Sequence, residues 1–162
     1  MTRPFRSRGG PPKPEGGLPA IAIFGAGAIG CWVGGKLAAG GARVTLIGRP
    51  RVLDELDGGR VLVSELERTP QTAQVERATD AAACRDADIV LVTVKSAQTA
   101  EAGAAIAPHL GAHTLVASLQ NGVRNAGVLE RELRRGPLAP NARYSGAPRR
   151  WCSIISVPET PR

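Results

Sequence analysis

The sequence predicts an α/β fold in which an open parallel sheet carries helices on both faces. Short apolar segments alternate with helical segments along the 162 residues, and this alternation is typical of right-handed β-α-β units. Aromatic residues make up only 3% of the chain, so the core must be built from Val, Ile, Leu and Ala, as in buried parallel sheets. The length suits one domain with a sizeable core.

The first half of the chain gives a regular pattern. A strand over 20–24 precedes a helix over 28–39, which ends where Gly40-Gly41 supplies a C-cap. A short β-branched strand follows at 43–47. A short helix is predicted over 51–56, before the breaker Gly58-Gly59.

The second half begins with weaker strand candidates at 60–63 and 74–78. The clearest strand is ADIVLVTV at 87–94, which we expect to be buried on both faces. A helix over 97–107 ends before Pro108, because proline cannot continue the helical hydrogen bonds. A last strand over 114–118 and an amphipathic helix over 123–134 complete the pattern.

The basic charge of the chain lies at its two ends. The formal net charge is +7, but residues 1–17 and 136–162 each carry four basic residues and one acidic residue, so the middle is nearly neutral. Both ends are rich in Pro and lack periodicity, so we predict a disordered tail over 1–17 and an irregular tail over 136–162. We therefore predict no nucleic-acid surface on the folded part.

Cysteine usage indicates a reducing, cytoplasmic location. Cys31, Cys84 and Cys152 are odd in number and have no C-x-x-C spacing, and we expect Cys31 and Cys84 to be small apolar core residues. The uncharged stretch 18–35 follows basic residues, as in an export signal or a membrane anchor. Its glycines and Pro19 disfavour a bilayer helix, so no membrane association is predicted.

No metal or hydrolase motif is present in the sequence. His109 and His113 are separated by Gly111, and no carboxylate or cysteine joins them at ligand spacing. No Ser/His/Asp order with a nucleophile elbow occurs either.

The most informative motif is G-x-G-x-x-G, placed between the first strand and the first helix. Gly25 allows a sharp turn, Gly27 removes a side chain where the backbone meets phosphate, and Gly30 lets the helix lie close to the sheet. The free N–H groups of the helix N-terminus attract the anion. The residues predicted to bind a dinucleotide pyrophosphate are Gly25, Ala26, Gly27, Ala28, Ile29 and Gly30.

The residue that follows the second strand predicts which dinucleotide is bound. Ligands of such sheets lie at the carboxyl ends of the strands, where this chain has Gly48-Arg49 and no carboxylate before Asp54. A guanidinium there suits a ribose 2′-phosphate, so NADP is predicted. The alternative is that Arg49 only begins a solvated helix.

Two further strand ends carry polar residues. Lys95 follows the buried strand, which brings its ammonium group to the rim of the predicted cleft. Asn121 lies in Leu119-Gln120-Asn121-Gly122, and its amide can donate and accept beside a nicotinamide or a carbonyl substrate. Asn-Gly is equally an ordinary turn sequence, and both interpretations stay open on local evidence.

Together these motifs resemble the 2-dehydropantoate 2-reductase family, the ketopantoate reductases. GAGAIG at 25–30, LIGR at 46–49, VTVKSAQT at 92–99 and SLQNGV at 118–123 stand in the order and approximate spacing of that family's amino-terminal NADP domain. The resemblance covers residues 20 to about 135 and implies a Rossmann-like NADP-binding domain over 18–135.

The resemblance also implies roles for single residues. The glycine loop would bind the pyrophosphate and Arg49 the 2′-phosphate, while Lys95 would contact the cofactor. Asn121 would lie near the nicotinamide and the substrate. The family reaction transfers a hydride from NADPH to a 2-keto acid on the route to pantothenate.

The sequence departs from the family after Arg135. The family's helical second domain supplies the proton-donating lysine and most substrate contacts, and we find no counterpart to it. We therefore expect a truncated, catalytically incomplete fragment with no catalytic residue of its own. If the codons of residues 151–154 are read in a frame shifted by two bases, they permit a sequence that resembles a strand of the family. Our hypothesis for the tail is therefore a frameshift.

Three further interpretations follow from the same observations. Without a second domain, we expect apolar surface on 123–133, which would favour a homodimer or aggregation. A stand-alone NADP-binding or sensor module without turnover is one alternative function. Another NADP-dependent hydroxy-acid dehydrogenase is the second alternative.

Overall fold

A computed structural model describes residues 17–64, 69–111, 114–122, 124–135 and 152–153. Its strands are β1 Ala20–Phe24, β2 Arg43–Ile47, β3 Arg60–Val63, β4 Gln71–Gln74, β5 Glu76–Ala78, β6 Ile89–Val92, β7 Leu115–Ser118 and β8 Cys152–Ser153. Its α-helices are α1 Ala28–Ala39, α2 Pro50–Asp54, α3 Thr99–Ile106 and α4 Arg124–Arg135. Short 3-10 helices lie at Asp57–Gly59, Ala81–Asp86, Ser96–Gln98 and Ala107–His109.

Six strands form the main sheet, in the order β5-β2-β1-β6-β7-β8. All neighbouring pairs in this sheet are parallel. The chain starts in the middle with β1, builds outward through β2 and β5, and then returns to the other side of β1 with β6. This reversal is a topological switch point, and it confirms the predicted Rossmann-like doubly wound parallel sheet.

Each face of the sheet has its own hydrophobic core. Successive side chains of a strand point to opposite faces, so Ile21 and Ile23 lie in one core and Ala22 in the other. On the first face α1 and the β3–β4 hairpin cover β1 and β2, and on the second face α3 and α4 cover β6 and β7. The largest fully buried apolar side chains of the two cores are Ile23, Leu46, Val44, Ile106, Leu129, Val90, Val92 and Cys84.

The prediction of one continuous strand over 74–78 is wrong, because two strands of different sheets meet there. β4 pairs antiparallel with β3, and β5 pairs parallel with β2. Val75 separates them; its side chain is buried and its N–H donates to the Gly59 carbonyl at 2.9 Å. Gly59 has φ +86°, and a Cβ on it would lie 2.4 Å from the Val75 oxygen. The chain changes sheets at this backbone contact.

The apolar surface expected on 123–133 is not found on the described part of α4. Leu129 is fully buried and Leu133 packs against the core of the second face. Helix α3 approaches α4 so closely that a Cβ on Gly103 would lie 2.8 Å from Glu132 Cβ. Among the described residues, the exposed large apolar side chains lie elsewhere, at Leu18, Ile29, Trp32 and Leu62.

Most of the two predicted tails lies outside the described residues. Within 136–162 the structure describes β8, whose Cys152 and Ser153 pair with Ala117 and Ser118 of β7. Strand β8 therefore extends the sheet within a segment that we predicted to be irregular. Among the helices of the described ranges, none has the length and apolar composition needed to cross a membrane.

Candidate dinucleotide-binding site

Four loops leave the sheet at the same level of its carboxyl edge. Phe24, the last residue of β1, is in register with Ile47 of β2 and Val92 of β6. Val92 is in turn in register with Ser118, the last residue of β7. The segments that begin at Gly25, Gly48, Thr93 and Leu119 therefore share one edge. This edge carries every residue for which a binding role was predicted.

The first turn of the glycine loop is tied to the neighbouring strand. The N–H groups of Gly25 and Ala26 both donate to the Ile47 carbonyl, at 2.9 and 3.1 Å. Gly25 has φ +119°, and a Cβ on it would lie 2.8 Å from the Val94 nitrogen. Only glycine fits this turn without strain, in agreement with the sharp turn that the motif predicts.

Gly27 stands where α1 begins and faces open space. It is the N-cap residue and offers no side-chain cap, and a Cβ on it would meet no atom within 4 Å. The first hydrogen bond onto its carbonyl comes from Cys31 N at 2.8 Å. The preceding N–H groups of the first turn have no intrahelical partner, so this end of α1 can receive an anion.

Gly30 has a different packing role from the one predicted. A Cβ on Gly30 would lie 2.0 Å from the Gly25 oxygen and 2.8 Å from Thr93 Oγ1. Its missing side chain therefore accommodates the loop itself. The close approach of α1 to the layer beneath it occurs one turn later, where Gly34 faces Leu46 and Gly35 faces Val63.

Thr93 is a loop-supporting residue that the sequence analysis missed. Its hydroxyl donates to the Gly25 carbonyl at 2.7 Å and also lies 3.3 Å from the Phe24 carbonyl. The side chain thus joins the loop after β6 to the glycine loop. Its position inside the VTVK segment 92–95, directly after β6, was the available signal.

Arg49 lies exposed at the start of α2, next to the glycine loop. It is the N-cap residue, and its carbonyl accepts from Val52 N at 3.0 Å and Leu53 N at 3.2 Å. The preceding Gly48 is so close to the loop that a Cβ on it would lie 2.6 Å from Ala26 Cβ. Arg49 does begin a helix, as the alternative interpretation states, and the residue before it contacts the glycine loop.

The other end of α2 is held by an arginine that the sequence analysis also missed. Arg77 on β5 donates from Nη1 to the Leu53 carbonyl at 2.9 Å and to the Leu56 carbonyl at 3.1 Å. Cations stabilise the C-terminal carbonyls of a helix. Arg77 thereby fixes the short helix whose first residue follows Arg49.

Lys95 and Asn121 lie on adjoining loops, and both are exposed. Lys95 precedes the 3-10 helix Ser96–Gln98 and has φ −65° and ψ 149°. The Asn121 carbonyl accepts from Asn125 Nδ2 at 2.6 Å and lies 3.4 Å from Ser96 Oγ. Gly122 has φ +99°, so Asn-Gly forms a turn and also places Asn121 at the edge. The two interpretations of Asn121 are compatible.

Buried polar side chains lie beneath these two loops. Thr99, Ser118, Gln120 and Asn125 are each at most 9% exposed. Buried polar groups require hydrogen-bond partners, and these residues bond to one another and to the loop carbonyls. Three of them fall inside the VTVKSAQT and SLQNGV segments, but nothing in the sequence distinguished them from their neighbours.

Cys31 and Cys84 are poor nucleophiles. Burial raises the pKa of the Cys31 thiol, whose Sγ lies 3.4 Å from the Ala26 carbonyl. Burial raises the pKa of Cys84, in the second core, to about 12. In the part of the chain that the structure describes, no three His, Cys, Asp or Glu side chains group as metal ligands. His113 lies outside that part.

A glycine loop at the switch point of a doubly wound parallel sheet defines the Rossmann-like class of domains. The motifs along its carboxyl edge narrow the class further. The chain belongs to the ketopantoate reductase PanE/ApbA family, whose model matches residues 21–155. This confirms the resemblance and extends it from about residue 135 to a point beyond β8.

Similar proteins carry the same family name. A 2-dehydropantoate 2-reductase of Halobacterium salinarum is 39% identical over 114 residues, which are 67% of this chain and 36% of that protein. The crystal structure of a ketopantoate reductase from Ralstonia eutropha superposes with TM-score 0.64 at 39% identity, over 69% of this chain and 37% of that one. The crystal structure of a 2-dehydropantoate 2-reductase from Geobacter metallireducens superposes with TM-score 0.60 at 28% identity, over 69% of this chain and 37% of that one. The chain thus spans about a third of the length of its relatives.

Proposed function

We propose that residues 18–135 form an NADP-binding domain that presents NADPH for hydride transfer to a 2-keto acid. The observation that carries the proposal is the shared edge, where the glycine loop, Arg49, Lys95 and Asn121 all leave the sheet at one level. Membership of the ketopantoate reductase family supports the reaction class. The unpaired Cys31 and Cys84 support a cytoplasmic location.

The groups present at the edge fit a phosphorylated dinucleotide. The glycine loop from Gly25 to Gly30 would bind the pyrophosphate, in the open space in front of Gly27 and against the first N–H groups of α1. Arg49 would bind the 2′-phosphate through charge-assisted hydrogen bonds. Lys95 would contact the nicotinamide half, and Asn121 would lie near both nicotinamide and substrate. The bound cofactor supplies the hydride, and these residues hold and orient it.

The cofactor preference is tested by the charge at Arg49. We expect the parent chain to bind NADPH more tightly than NADH, because only NADPH carries the 2′-phosphate. Arg49→Glu should weaken NADPH binding by about 10- to 100-fold, the range for hydrogen bonds between charged groups. NADH binding should change much less. Titration calorimetry with both cofactors measures the difference.

Arg43→Glu is the matched control for this experiment. Arg43 is exposed and begins the same strand at the opposite, amino edge of the sheet. The control makes the same charge change far from the predicted phosphate, so NADPH affinity should stay within about twofold of the parent at physiological salt. Equal affinity of the parent for NADH and NADPH would contradict the proposed cofactor.

A turnover assay tests whether the chain alone is catalytically competent. The chain is incubated with NADPH and ketopantoate, and the loss of reduced-nicotinamide absorbance is followed. Tight NADPH binding without turnover is expected both of a catalytically incomplete reductase fragment and of a stand-alone binding module, whereas turnover of ketopantoate would show a complete 2-keto acid reductase. Turnover on another hydroxy acid or keto acid, but not on ketopantoate, would favour a different dehydrogenase.

A further inference from the structure

Four buried side chains, Thr99, Ser118, Gln120 and Asn125, form one hydrogen-bonded network under the loops that follow β6 and β7; we call them the buried network. Thr99 is at most 1% exposed, and the others are at most 9% exposed. Ser118 and Gln120 come from β7 and its loop, while Thr99 begins α3 and Asn125 lies in α4. The network therefore connects β7, α3 and α4 at the carboxyl edge.

On one side the buried network holds the backbone that flanks Lys95. Gln120 Nε2 donates to the Val94 carbonyl at 2.8 Å and to Thr99 Oγ1 at 2.8 Å. Thr99 Oγ1 in turn donates to the Ser96 carbonyl at 2.9 Å. The carbonyls immediately before and after Lys95 are thus both fixed, so the direction in which its side chain leaves the loop is set from below.

On the other side the buried network holds Asn121. Asn125 Nδ2 donates to the Asn121 carbonyl at 2.6 Å and to Ser96 Oγ at 2.9 Å. Ser96 Oγ in turn donates a hydrogen bond to the same Asn121 carbonyl, at 3.4 Å. Ser96 therefore bonds to both sides of the network and connects the loop of Lys95 to the loop of Asn121.

The orientation of each amide in the buried network is determined by its partners. Ser118 Oγ donates to Gln120 Oε1 at 3.0 Å, which leaves the Gln120 amino group for Val94 and Thr99. Every side-chain hydrogen of these hydroxyls and amides then has an acceptor. Rotating the Gln120 amide would turn its amino group toward the Ser118 hydroxyl hydrogen and leave the Val94 carbonyl without its donor. The Thr99 hydroxyl has a second acceptor, Asn125 Oδ1 at 3.4 Å, which joins the two sides of the network directly.

We propose that Thr99, Gln120 and Asn125 are positioning residues that keep Lys95 and Asn121 at a fixed separation at the nicotinamide end of the site. This inference rests on the proposed function, since it assigns Lys95 and Asn121 to one bound cofactor. The glycine loop lies outside the buried network and is tied instead to Ile47 and Thr93. The Arg49 carbonyl accepts from Val52 and Leu53, also outside the network. Disturbing the network should therefore affect one half of the ligand and spare the other.

Thr99→Val and Thr99→Ser in the full chain form the test pair. Valine keeps the shape of Thr99 and removes its hydroxyl, whereas serine keeps the hydroxyl. The probes are NADPH and adenosine 2′,5′-bisphosphate, which lacks the nicotinamide half. Thr99→Val should weaken NADPH binding about tenfold, leave the bisphosphate within about twofold, and be rescued by serine. Equal weakening of both ligands, or no change in either, would overturn the proposal.

Hydrogen exchange without ligand provides a second measurement. Thr99→Val should speed amide exchange in peptides covering both 94–98 and 119–122 but not 25–30, and Thr99→Ser should not. Faster exchange in one of the two loops alone, or throughout the chain, would overturn the coupling. If the parent binds no NADPH the proposed function is wrong, and the exchange data still decide whether the two loops are coupled.

Ser118→Ala keeps the test decisive if Thr99→Val does not fold. It removes only the donor that orients the Gln120 amide, so the same selective loss of NADPH affinity is expected at about threefold. Unchanged NADPH affinity together with unchanged exchange at 94–98 would contradict the proposed positioning role.

Discussion

The two halves of the carboxyl edge are built by opposite means. Around β1 and β2 the site depends on missing side chains, because Gly25, Gly30 and Gly48 stand where a Cβ would collide with the neighbouring backbone or with Ala26. Around β6 and β7 it depends on added polar side chains that are buried and fully bonded. In the proposed site, the glycines would let the chain itself approach the ligand, whereas the buried network would direct side chains toward it. The predictions below test this contrast in order of decreasing effect.

The largest effect is expected in the glycine half. Gly30→Ala would place a Cβ 2.0 Å from the Gly25 oxygen, and backbone cannot yield as a flexible side chain does. We expect a loss of about 3 kcal/mol or more in the free energy of unfolding, because overpacking forces the backbone to shift. Urea denaturation followed by circular dichroism measures it.

Gly27→Ala is the matched control in the same loop. A Cβ there meets nothing within 4 Å, and Gly27 has φ −82°, which alanine adopts freely. The free energy of unfolding should stay within about 0.5 kcal/mol of the parent, while NADPH binding falls. A Gly27→Ala chain as unstable as Gly30→Ala would contradict the assignment of Gly27 to ligand approach.

The next effect belongs to the network half. Gln120→Met fills a similar volume but removes the bonds to the Val94 carbonyl, Thr99 Oγ1 and Ser118 Oγ. Leaving these buried groups unpaired should lower the free energy of unfolding by about 1–3 kcal/mol. Measured in the same urea experiment, a neutral result would show that the buried polar groups do not contribute to stability.

The pH dependence of stability tests the burial of Cys84 in the core of the second face. The pKa of Cys84 is raised to about 12 in the folded chain, whereas in the unfolded chain it lies near its ordinary value of 9.0. The unfolded thiol therefore loses its proton first as pH rises. The contribution of the buried Cys84 thiol to the free energy of unfolding is therefore fully present below about pH 9. Between about pH 9 and pH 12 this contribution falls by about 1.4 kcal/mol per pH unit.

Comparison of the parent with Cys84→Ala isolates this contribution. The difference in the free energy of unfolding between the two chains should shrink above pH 9 and be constant below it. A difference independent of pH would show that Cys84 is not as protected as its 0% exposure indicates.

The smallest effect is expected from Arg77. Arg77→Met retains most of the side-chain length and removes the bonds to the Leu53 and Leu56 carbonyls. We expect a loss of about 1 kcal/mol in stability, since these are single hydrogen bonds at a partly exposed site. NADPH affinity should fall with it because α2 carries Arg49 at its start, whereas Arg77→Lys should retain part of both. A loss of stability without a loss of affinity would separate α2 from the cofactor site.

The glycine half was predictable from the sequence, and the network half was not. A strand, a G-x-G-x-x-G turn and a helix are contiguous in sequence, so local rules place Gly25 and Gly27 and give β1, α1 and β2 their observed bounds. Thr99, Gln120 and Asn125 are brought together by tertiary packing of β7, α3 and α4. No period or spacing marks them, because side-chain hydrogen bonds between distant elements leave no local pattern.

Two further differences between the prediction and the structure also arise from contacts between distant elements. The segment 74–78 has the composition of one strand, but the long-range contact between Val75 and Gly59 divides it between two sheets. Helix α4 was expected to expose apolar residues, and α3 covers Leu129 instead. In both cases a distant element decided what the local sequence left open.

The order of the strands also determines how far apart the two ends of the proposed site lie along the carboxyl edge. Arg49 follows β2 and Asn121 follows β7, and the strand order places β1 and β6 between them. Three interstrand steps of about 4.8 Å separate these two positions by about 14 Å. A molecule that contacted both loops would therefore lie across the strands, with its long axis perpendicular to them.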